Sequence, residues 1–69
     1  MMFRYQVDVG KGFTVEFTFK GLVFDCKWTP RIPTGKQVSQ VMPAYKTARN
    51  AFIADIAEKT GVKIGVIEP

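Results

Sequence analysis

Five basic side chains, Lys27, Arg31, Lys36, Lys46 and Arg49, fall in a stretch with no acidic residue between Cys26 and Ala54. Residues 31–50 hold four basic residues and no acid, so the formal net charge of +4 is concentrated in one central segment. Cations gathered in this way attract phosphates and carboxylates. The chemistry they suggest is anion binding, with nucleic acid or an acidic protein as the partner.

Other groups suggest less. Gly10-Lys11 and Gly35-Lys36 are Gly-Lys pairs, but Tyr5 and Pro30 stand where a phosphate-binding loop needs its first glycine. Both read as turns. Asp8, Glu16 and Asp25 are placed to share a sheet face with Arg4, Lys20 and Lys27, a mixture that cross-strand ion pairing explains. The chain has no histidine and one cysteine, so a Ser-His-Asp triad, a Cys-His dyad and an intramolecular disulfide are excluded within it. Cys26 alternates in register with Phe24 and Trp28, which predicts a buried structural thiol. No catalytic constellation, metal site or cofactor is expected.

These residues are positioned by elements whose hydrophobic period is legible. Phe3, Tyr5, Val7 and Val9 alternate with Arg4, Gln6 and Asp8. Phe13, Val15, Phe17 and Phe19 alternate with Thr14, Glu16, Thr18 and Lys20. Leu22, Phe24, Cys26 and Trp28 alternate with Val23, Asp25, Lys27 and Thr29. Gly10-Lys11-Gly12 and Lys20-Gly21 supply tight turns between them. The pattern predicts a three-stranded antiparallel meander with one apolar and one polar face. Pro30 and Pro33 then stop regular structure and make a stiff connector. Residues 36–42 fit either a short fourth strand or an extended lead.

Pro43 suits the first position of a helix, Tyr45, Ala48, Phe52, Ile53 and Ile56 recur at helical spacing, and Thr60-Gly61 provides a stop. Val62, Ile64 and Val66 alternate again, predicting a short last strand over Val62–Ile67. The expected fold is one α+β domain over residues 1–69, a two-layer sandwich in the order β-β-β-α-β, its helix packed on the aromatic face of the meander.

A helix starting at Pro43 carries Lys46 and Arg49 in its early turns and Asp55 and Glu58 later, against the preference of the helix dipole. That arrangement predicts an anion site at the helix start, formed by Lys46 and Arg49 with Arg31 and Lys36 and with Lys27 as an addition. The leading expectation is a small non-enzymatic binding module for nucleic acid. The rival is a homodimeric interaction or assembly protein that uses the edge of the last strand, with Val23 and Ile67 as exposed contacts. No apolar run is long enough to span a membrane and no signal segment is evident, so the cytoplasm is the expected compartment.

Overall fold

A computed structural model describes residues 2–64. Three strands, β1 (Met2–Gly10), β2 (Phe13–Lys20) and β3 (Val23–Thr29), form an antiparallel sheet in the order β1-β2-β3 and are followed by one helix, α1 (Lys36–Thr60). The α+β meander with a helix packed on its apolar face is as the alternation predicts. Phe13, Val15, Phe17 and Phe19 of the central strand are all buried, and they meet Val41, Ala48, Phe52 and Ile56 of the helix. Phe17 is fully buried, with ring centroids 5.6 to 6.1 Å from those of Tyr45, Phe52 and Phe24.

The two hairpins turn in two residues each, Lys11-Gly12 and Gly21-Leu22, with positive φ at both central positions. This is the type I′ pattern, whose twist suits antiparallel strands. The first turn puts glycine at its second position, as the geometry favours. The second puts Leu22 there, at φ 67° and 76% exposed. Leu22 therefore lies in the turn, not in the inward row of β3 where the alternation placed it. A register shift between Asp8 and Gly10 inserts Val9 as a bulge in β1.

The helix begins seven residues before the expected start, and residues 36–42 are its first two turns, not a strand or an extended lead. Pro43 sits inside the helix and removes one backbone donor there. Tertiary packing outweighs that loss: Val41 is fully buried against the sheet and Val38 half-buried, one turn before Tyr45. Gly61 ends the helix in the left-handed conformation at φ 77°, and its N–H donates to the Ala57 carbonyl at 2.8 Å. Residues 61–64 form no strand, although Val62 and Ile64 pack on the core. The rest of the expected last strand, with Ile67, lies outside the described residues.

Within 8 Å, Cα to Cα, the helix backbone approaches β1 and β2 but not β3. The inward row of β3, Phe24, Cys26 and Trp28, is consequently only half-buried. That offset exposes the surface described next.

Candidate functional site

Beside β3, which the helix backbone does not approach, rings and cations from four segments form a continuous chain. The Arg31 guanidinium stands over Phe13, 5.4 Å from the ring centroid. Phe13 meets Trp28 edge-on at 6.4 Å, and Trp28 stacks on Tyr45 at 5.1 Å with 24° between planes. The Arg49 guanidinium closes the chain, 5.7 Å from the Tyr45 centroid. Each contact suits the negative ring face and positive ring edge of an aromatic quadrupole. Trp28, Tyr45 and Cys26 are half-buried, while Arg31 is exposed.

The sequence places these groups by simple rules. Trp28 projects inward because it keeps period-two register with Phe24 and Cys26. Tyr45 lies one helical repeat from Val41 and Ala48 and so points to the sheet. Cys26 Sγ is 3.7 Å from the Tyr45 hydroxyl oxygen. Burial, and secondarily the Cys26 contact, raise the Tyr45 pKa above the ordinary 10.0, with Arg49 opposing the shift.

The five cations do not form one cluster. Lys27 is exposed on the sheet face opposite the helix, in the cross-strand row Gln6–Glu16–Lys27. On that face Arg4, Lys20 and Lys27 are interspersed with Asp8, Glu16 and Asp25, and Arg4 Nε is 3.7 Å from Glu16 Oε2. No group of three or more potential metal ligands occurs among the described residues.

Arg31 and Lys36 do lie near the helix start. Arg31 Nη1 donates to Gln37 Oε1 at 3.1 Å and to the Ile32 carbonyl at 3.3 Å. Because the helix starts at Lys36, Lys46 lies about 15 Å and Arg49 about 20 Å along its axis. Neither can join a site at the helix N-terminus, where the dipole effect fades within one turn. The Gln37 and Val38 N–H groups already donate to the Thr34 and Gly35 carbonyls at 3.1 and 3.2 Å.

Lys46 is half-buried and shares a helix face with Met42, Arg49 and Ile53 by its i, i+3 and i+4 spacing. Arg49 is only 7% exposed, and its Nε and Nη2 donate to Asn50 Oδ1 at 3.3 and 3.2 Å. Both residues make further interactions within the chain. Arg49 thus stands against Tyr45 and Arg31 against Phe13. The charge count located the cations but missed Phe13, Trp28 and Tyr45 as their companions. Period-two and helical spacing assign those rings inward and carry no sign that β3 is left uncovered.

A depression of 430 Å³ lies on the other flank, between β1 and the C-terminal half of α1. Tyr5, Phe52, Arg4, Asp55 and Lys59 line it, and Asp55 and Lys59 pair at 3.2 Å. It brings together none of the five cations. No family model, curated protein or solved structure matches the chain.

Proposed function

We propose that this domain is a non-enzymatic binding module for single-stranded nucleic acid, held over the half-buried inward row of β3. The observation that carries the reading is the ring-and-cation chain Arg31–Phe13–Trp28–Tyr45–Arg49, half-open at Trp28 and Tyr45. Single strands bind where cations track the phosphates and aromatic rings meet the bases. Arg31, Lys36 and Lys46 take the phosphate role, Trp28 and Tyr45 the base role, and Arg49 fixes Tyr45. Lys27, on the opposite face, adds only long-range attraction. An acidic protein would use the same cations but has no need of the rings.

Trp28 is the only tryptophan, so its emission reports on the site alone. Titration with a short oligothymidylate at low salt should quench it. Three phosphate contacts predict that log K falls with log salt at a slope of about −2. Replacing Arg31 and Lys46 together by Glu should abolish the response. An unchanged Trp28 spectrum, with no change in the anisotropy of a labelled oligonucleotide at low ionic strength, refutes the reading.

The rival reading, assembly through the last strand, relied on residues 62–67. Residues 62–64 are not a strand, and 65–67 lie outside the described residues. A different edge, β3, supports association.

A further inference from the structure

We infer that two copies of this chain join edge to edge through antiparallel pairing of β3 with β3, centred on Cys26. The two copies then form one six-stranded sheet.

The free edge of β3 is open to pairing among the described residues. Lys20 and Val23 flank a two-residue turn and so exchange hydrogen bonds with each other. By alternation, the backbone groups of Phe24, Cys26 and Trp28 point away from β2. The Cys26 N–H shows this outward aim, since it donates to Asp25 Oδ1 at 2.9 Å instead of to a strand. Strand β3 has seven residues, no bulge and no internal proline. The other edge, β1, is interrupted by the bulge at Val9, a device that discourages pairing.

Strand β3 is also complementary to itself in the antiparallel sense. A two-fold axis at Cys26 sets Asp25 opposite Lys27 of the second copy, and Lys27 opposite its Asp25. On the apolar face it sets Phe24 opposite Trp28 of the second copy, twice over. Opposite charges and paired rings are the cross-strand neighbours that stabilise sheets. The outward N–H and C=O groups of residues 24, 26 and 28 then face their counterparts in register.

Exposed apolar side chains gather at the same strand. Leu22, Val23 and Ile32, at 76, 64 and 69% exposed, flank the two ends of β3. Antiparallel pairing brings Leu22 and Val23 of one copy to Thr29 and Pro30 of the other, beside its Ile32. Leu22 holds this position at a positive φ that its residue type disfavours. Backbone strain with an exposed leucine is what a contact from outside the chain would account for.

The pairing has a consequence for binding, and this part rests on the nucleic-acid reading. With strands about 4.8 Å apart and each helix over β1 and β2, the two helix axes stand about 19 Å apart. Helices about 10 Å across leave a groove about 9 Å wide. Its floor is Phe24, Cys26 and Trp28 from both copies, and its walls carry Lys46 from both, so neither copy alone makes the complete groove.

Charge exchange tests the register. Asp25→Lys alone and Lys27→Asp alone each set like charges opposite at both ends, while a mixture of the two variants restores opposite charges at every pair. Sedimentation should show the wild type dimerising and each variant associating at least about tenfold more weakly. The mixture should recover the wild-type affinity, with far-ultraviolet circular dichroism confirming that both variants fold. A wild type that stays monomeric up to its solubility limit overturns the proposal. A dimer insensitive to both substitutions, or a mixture that fails to recover, overturns it as well. Monomeric protein whose Trp28 still responds to oligothymidylate would defeat the dimer and leave the binding reading intact. A dimer that passes the exchange test without a Trp28 response would do the reverse.

Discussion

Replacing Leu22 by glycine should stabilise this protein while weakening its self-association. Leu22 occupies φ 67° with 76% of its surface exposed, so within one chain its side chain contributes little packing. The left-handed conformation costs an L-residue about 1–2 kcal/mol, and glycine escapes that cost. Glycine also has more freedom to lose on folding, which takes back about 0.4–1 kcal/mol. The difference is a gain of about 0.8 kcal/mol. At a urea dependence of about 1 kcal/mol per molar, the midpoint should rise by about 0.8 M. The melting temperature should rise by about 3–6 °C. Trp28 emission can follow unfolding at protein concentrations low enough to keep the chain monomeric. Leu22→Ala is the control, because it removes the same exposed side chain and keeps the strained φ. It should stay within about 0.5 kcal/mol of the wild type. A midpoint that does not rise in Leu22→Gly refutes the strain argument, as does an equal rise in Leu22→Ala. Both variants should dimerise less well, since both lose the contact with Pro30 of the second copy.

The core and the Tyr45 contact give two further expectations. Phe17→Ala should cost about 3–5 kcal/mol, against a total stability of about 3–10 kcal/mol for a chain of this length. Denaturant melts should therefore find it barely folded, while Thr18→Ala on the outer face stays within about 0.5 kcal/mol; similar losses at both sites would contradict the assignment of the two faces. Burial raises the Tyr45 pKa above 10.0, so Tyr45 favours the folded state fully below the unfolded tyrosine value, and that contribution is lost as pH rises towards the folded value. Stability measured above pH 10 should fall less steeply in Tyr45→Phe than in the wild type, and identical slopes would deny the Tyr45 contribution.

The strands were legible because one face is buried and the other wet. A slip of one residue would have turned Phe13, Val15, Phe17 and Phe19 outward. Leu22 broke the rule because alternation cannot say which residues a two-residue turn removes from the ladder, and Gly21 marks only the first of them. The helix start was misplaced for a different reason. Pro43 is a strong local signal, but Val38, Val41, Tyr45, Ala48, Phe52 and Ile56 already recur at steps of three and four through it. Packing of that stripe outweighed the local preference, and the anion site at the helix start was built on the wrong origin. Arg49 illustrates the same limit. Its spacing from Pro43 suggests an anion contact at the helix start, whereas the residue is 7% exposed with its guanidinium over Tyr45.

That the helix misses β3 follows from dimensions. Three strands about 4.8 Å apart make a face wider than one helix about 10 Å across can cover. A small domain has no second helix to spare, and one of this size stabilises its core with little margin. A strand left in water could be polar on both faces at no cost to the core beneath β1 and β2. Here the inward row of β3 is Phe24, Cys26 and Trp28, and its ends carry Leu22, Val23 and Ile32. Among the described residues that row is only half-buried, and a second copy would cover it. Asp25 and Lys27 narrow the choice, because on adjacent rows of an edge strand they match a copy of themselves in the antiparallel sense. The cations of the central segment then border a groove that two copies share, and they need not meet at any point within one copy.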